Sequence, residues 1–74
     1  MYKIREDMMR YVKQNIKSQK QFSRLVGLDR SYMNLILNGK RTVSKLSAFA
    51  ITKAFDKELE IADLFEIVKK EKSI

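Results

Sequence analysis

Arg30 and Asn34 stand four residues apart in the stretch SQKQFSRLVGLDRSYMNLILNGKR, which runs from Ser18 to Arg41. On a helix that spacing puts both side chains on one face. An arginine fork matches the O6 and N7 acceptors of guanine, an asparagine amide matches N6 and N7 of adenine, and each good pair of bonds discriminates by about 1–3 kcal/mol. Ser31 adds a small polar group on the same helix, and Leu35 offers an apolar contact suited to a thymine methyl. Gln19, Lys20, Tyr32, Asn38, Lys40 and Arg41 are the residues suited to phosphate, through side-chain donors, full charges or the free N–H groups at a helix start. Contacts of that second kind set register and carry no sequence information.

Other chemistries find little support. The chain has no cysteine and no histidine, so thiolate and imidazole metal sites and a histidine general base are excluded. No nucleophile stands paired with a base, and neither a catalytic residue, a metal nor a cofactor is expected. The net charge is +7, and it is unevenly spread. Residues 1–18 carry five basic and two acidic side chains, residues 19–45 six and one, and residues 46–74 five and six. A concentration of cations in the span that also holds Arg30 and Asn34 points to a polyanionic partner, in the first place nucleic acid. The longest apolar runs are three or four residues, far short of the ~20 needed to cross a bilayer. The amino terminus, MYKIREDMMRYV, lacks the continuous apolar stretch of a secretory signal. A cytoplasmic protein associated with the nucleoid is expected.

The elements that position these residues are read from periodicity and from two glycines, Gly27 and Gly39, the only ones in a chain without proline. Ile4, Met8, Tyr11, Val12 and Ile16 recur at helical steps and predict a first helix over about residues 2–16. Ser18 and Gln21 form a capping box ahead of Phe22, Leu25 and Val26, so a second helix starts there and stops at Gly27. Asp29 caps a third helix over Arg30–Leu37, which presents Met33, Ile36 and Leu37 inward and ends at Asn38-Gly39. Ser44 caps a fourth over Lys45–Phe55, with Leu46, Phe49, Ala50 and Phe55 expected inward. A fifth is predicted near Glu60–Lys70, with Ile61, Leu64, Phe65 and Val68 on one side. No strand alternation is visible. Residues 1–70 should form one all-α domain, with residues 71–74 as a frayed tail.

Two short helices joined by about three residues containing a glycine make a helix-turn-helix, whose second helix enters the major groove. The unit needs apolar residues at Phe22, Val26, Leu28, Met33 and Ile36, a small residue at Ser23 and a glycine at Gly27 for the turn, and all these needs are met. With Ser18-Gln19 before it and Asn38-Gly39-Lys40 after it, the segment resembles the Cro/CI-type (XRE-like) helix-turn-helix of phage repressors and their bacterial relatives. RTVSKLSAFAITKAF and EIADLFE resemble that family's fourth and fifth helices, so the likeness covers about residues 4–66. The sequence departs from the pattern at Asp29, often Ser or Thr there, at Leu35, and in the length of the link around Lys57–Glu60.

The resemblance implies a compact five-helix lambda-repressor-like domain and a small Cro-like transcriptional regulator, its third helix reading a double-stranded DNA operator. A partly palindromic operator with half-sites about one helical turn (~34 Å) apart implies two copies of the chain, a homodimer at least on DNA. A second reading keeps the fold but makes it a protein-binding module acting on a partner repressor or an antitoxin-like complex, through the acidic span of residues 54–68.

Overall fold

The computed structural model describes residues 1–68. In chain order these form β1 (Tyr2–Ile4), α1 (Glu6–Asn15), α2 (Gln19–Val26), α3 (Arg30–Leu37), α4 (Lys45–Phe55), α5 (Ile61–Leu64) and β2 (Phe65–Ile67). The five helices of the all-α domain are present. Both ends of the described chain differ from expectation in detail: α1 begins at Glu6, α5 spans four residues, and the segments beyond them pair as a short antiparallel ladder, Tyr2 with Ile67 and Ile4 with Phe65. The physical reason is that Ile4 and Phe65 are buried together with Leu64, and an extended backbone brings both into the core while the ladder satisfies their peptide groups. Helix α1 then starts where Glu6 and Asp7 complement its positive end, and Arg5 holds Asp7 at 2.8 Å and the Ala62 carbonyl at 3.2 Å. The expected helical Lys69 and Lys70 and the expected tail at residues 71–74 lie outside the described residues.

The three central helices begin as their caps dictate. Ser18 Oγ accepts from the Gln21 N–H at 3.2 Å, Asp29 Oδ2 from Ser31 and Tyr32 at 3.0 and 3.4 Å, and Ser44 Oγ from Ser47 at 3.2 Å. The two glycines perform the same task. The Gly27 N–H bonds the Arg24 carbonyl at 3.2 Å and the Leu28 N–H bonds Ser23 at 2.9 Å; the Gly39 N–H bonds Ile36 at 3.0 Å and the Lys40 N–H bonds Leu35 at 2.9 Å. Each is a left-handed closure, with φ of 87° and 73°, that uses up carbonyls the helix would leave unpaired. A β-carbon at Gly27 would meet nothing within 4 Å, so the backbone angle alone selects glycine there; at Gly39 it would also press on Met9 Cε at 3.3 Å.

The core gathers Ile4, Val12, Phe22, Met33, Ile36, Leu37, Val43, Ala48, Ile51, Leu64 and Phe65. Its inward stripe on α4 is not the expected one: Ala48, Ile51 and Thr52 are buried, Ala50 and Phe55 are partly buried, and Leu46 and Phe49 are exposed. Because α2 packs on α4 as well as on α3, the small residues Ser23, Ala48 and Thr52 are the ones that end up inside. Bulk would hold the helices apart. Leu25 is exposed, and so is Tyr11, which the helical spacing placed on the apolar face of α1; the Tyr11 ring instead meets Phe55 edge-on at 5.9 Å. Thr52 Oγ1 and Ser23 Oγ are buried without a hydrogen-bond partner among the described residues. Thr52→Val keeps the shape and removes a desolvated hydroxyl, so it should raise stability by about 1 kcal/mol. Urea unfolding followed by circular dichroism checks this, and a lower midpoint would show that the hydroxyl is satisfied in solution.

Candidate nucleic-acid interface

Helix α3 divides cleanly between its two sides. Met33, Ile36 and Leu37 are buried, whereas Arg30, Ser31, Asn34 and Leu35 are exposed. The exposed four line one open cleft of about 610 Å³ together with Gln19 from the first turn of α2. The residues suited to base reading are therefore brought together, and Gln19 stands beside them. Asp29 spends its carboxylate on the cap of α3 and forms no ion pair with Arg30, so the guanidinium has no acidic partner among the described residues.

The residues suited to phosphate are placed in three ways. Lys20, Lys40 and Arg41 are exposed cations. Tyr32 is half-buried against the core, and the Arg41 guanidinium lies over its ring, 5.4 Å from the centroid. A planar cation on a fixed ring is thereby steadied where it can meet an anion. Asn38 is committed inside the protein: its Nδ2 donates to the Asn34 carbonyl at 2.7 Å and to Asn34 Oδ1 at 3.2 Å, and its Oδ1 accepts from Lys13 Nζ at 2.6 Å. Gln19 Nε2 reaches the same Asn34 Oδ1 at 3.5 Å.

Lys13 and Lys3 escaped the sequence reading. Both belong to the amino-terminal elements, and no local pattern ties them to α3. Folding brings them there, because α1 and β1 both pack on α3: Lys13 bonds Asn38, and Lys3 Cε lies 3.6 Å from where a β-carbon of Gly39 would stand. Two cations from the other end of the chain thus border the end of α3.

A second surface has different chemistry. A groove of about 600 Å³ runs between α4 and the α5–β2 segment, floored by Tyr2, Phe49, Ile61, Phe65 and Ile67, with Lys45 on the α4 wall and Glu60 and Glu66 on the other. Leu46, three residues before Phe49 on the same helix, is 78% exposed and Ile67 is 68% exposed. Beside the groove a strand edge is open. Tyr2 exchanges both backbone hydrogen bonds with Val43, at 2.7 Å each, so its peptide groups turn away from Ile67 across the ladder. In an antiparallel pair of that kind the N–H and C=O of Ile67 also point away, and no strand pairs with β2 on that side among the described residues.

Among the described residues no group of three or more acidic, histidine or cysteine side chains could hold a metal ion, and no helix is long and apolar enough to cross a membrane. A model of a helix-turn-helix family matches residues 8–61, well over half of the chain. No curated protein and no solved structure shows a significant match.

Proposed function

Because the chain belongs to the helix-turn-helix family of DNA-binding transcriptional regulators, we propose that it is a sequence-specific regulator of the repressor or Cro-like kind, acting on cytoplasmic, nucleoid DNA with α3 in the major groove. The observation that carries this reading is the single outward cleft in which Arg30, Ser31, Asn34 and Leu35 meet Gln19. Arg30 supplies a fork for guanine and Leu35 a surface for a thymine methyl, while Gln19, Lys20, Lys40 and the Tyr32-supported Arg41 take phosphates. Asp29 is compatible with this placement because its charge is already shared with two backbone N–H groups. Asn38 contributes through the side chains it holds, together with its place at the end of α3.

Two copies are needed, since one short helix discriminates too weakly against the non-specific sites of a genome. The copies meet through the groove and the open edge of β2. A chain of net charge +7 repels its own kind, and this is where that repulsion is least: residues 46–68 hold two lysines against five carboxylates. A two-fold axis at Ile67 would pair the open edges and set the Lys45 wall of each copy toward the acidic wall of the other.

Selection of bound duplexes from a random pool tests the whole reading. The expected product is a consensus with two-fold symmetry and half-sites centred about 34 Å apart. Affinity for it should fall as salt rises, with a slope of about 0.9 in log K per phosphate neutralised. A pool without consensus, bound with no dependence on salt, is the result that overturns the proposal.

A further inference from the structure

Four polar side chains run in a row across the interface, and their order settles which end of an amide faces the DNA. The inference rests on the placement of α3 in the major groove argued above. Lys13 Nζ lies 2.6 Å from Asn38 Oδ1; Asn38 Nδ2 lies 2.7 Å from the Asn34 carbonyl and 3.2 Å from Asn34 Oδ1; Gln19 Nε2 lies 3.5 Å from that same Oδ1. An ammonium only donates, so the Asn38 atom facing Lys13 must be oxygen. A peptide carbonyl only accepts, so the Asn38 atom facing Asn34 O must be nitrogen. The two demands agree and fix the Asn38 amide from both sides. Its nitrogen also faces the Asn34 side chain, which must therefore turn its own oxygen inward, where Gln19 supplies a second donor.

We propose that Asn34 reads DNA as a donor only, presenting its NH2 to the cleft and selecting a base that shows acceptors there. Guanine offers two acceptors side by side in the major groove, adenine and thymine one each, and cytosine none. Guanine is the selected base. This differs from the adenine match that asparagine makes when both ends of its amide are free. Adenine would need the Asn34 oxygen to turn outward, which sets N–H against N–H at Asn38, whose amide is fixed from both sides. Asn38, Gln19 and Lys13 are positioning residues: they act on sequence through the orientation of Asn34.

The test compares selected consensus sequences, or a series of duplexes differing at one base pair, for the wild type, Asn34→Ala and Asn38→Ala. In the wild type one position of each half-site should favour guanine, and Asn34→Ala should relax that preference by about five- to a hundredfold. Asn38→Ala removes the inward donor and sets no acceptor against the Asn34 carbonyl, so the Asn34 amide is free to turn its oxygen to the groove. Adenine should then be accepted beside guanine at that one position, the guanine-to-adenine ratio falling about fivefold or more, with the other positions unaltered. Any general weakening divides out of the ratio. Should Asn38→Ala not fold, as judged by its melting curve, Asn38→Gly removes the same donor with a residue suited to a helix end and is expected to shift the same position the same way. Retention of the wild-type guanine-to-adenine ratio by whichever of these variants folds, or a wild-type preference for adenine at the position that Asn34→Ala relaxes, overturns the inference. If Asn34→Ala relaxes no position while a symmetric consensus persists, the inference falls and the proposed regulator stands. If the wild type selects no consensus, the regulator falls with it.

Discussion

Replacing Met33 with alanine should cost about 2–5 kcal/mol, the range for truncating a fully buried long side chain where the site only partly collapses. Met33 is 0% exposed and stands on α3 between Tyr32 and Asn34, so the damage is done from inside the element that faces outward. A domain of this size has about 0.05–0.15 kcal/mol of stability per residue, and the loss therefore takes a large part of the total. The variant should lose its cooperative urea transition or show a midpoint shifted far down, and DNA binding should disappear with the fold. Leu35→Ala, two residues on, removes a similar apolar side chain that already meets solvent, and its stability should stay within about 0.5 kcal/mol of the wild type. The pair of measurements separates the two sides of α3. Equal losses at both positions would mean that Leu35 is packed in, which would bury the cleft and remove the proposed interface.

The helix-turn-helix was legible because its signals are local. Ser18, Gly27, Asp29 and Gly39 each fix a helix end through backbone chemistry that needs no distant partner, and α2 and α3 run from Gln19 to Val26 and from Arg30 to Leu37 between them. The exposed set of α3 follows from that phase alone. What local reasoning could not supply depends on elements far apart in sequence. The ladder between Tyr2–Ile4 and Phe65–Ile67 joins the two ends of the described chain, and each strand is too short for alternation to distinguish it from a helical turn. On α4, Leu46 and Phe49 form as good an apolar stripe as Ala48, Ile51 and Thr52; only the approach of α2, with Ser23 buried, decides that the smaller set goes inside. Lys13 and Lys3 were hidden for the same reason. Misplacing the α4 stripe also concealed a surface, since the large side chains assigned to the core are the ones left outside.

That surface leads to the largest effect expected on DNA binding with the fold left intact. Ile67→Glu places a carboxylate on the open edge next to Glu66, on the wall that also carries Glu60. In two copies meeting there, the new charges face one another across the axis, and like charges directly opposed on paired strands destabilise the pairing. The position is 68% exposed, so the single chain loses little when it changes. Linking two half-site contacts makes the second one effectively intramolecular, which strengthens binding by about 10²–10⁴-fold over either alone. Affinity for a two-half-site operator should therefore fall by that factor to the level of a single half-site, while affinity for an isolated half-site and the melting temperature change little. Leu25→Glu is the matched control, because Leu25 is 71% exposed on α2 and does not line the groove. It should leave the two-copy complex intact. Sedimentation of the protein–operator complex gives the copy number directly: two for the wild type and the Leu25 variant, one for the Ile67 variant at the same concentration. Two copies of the Ile67 variant, bound as tightly as the wild type, would show that the chains meet elsewhere and that the groove and its open strand are covered by something other than a second copy.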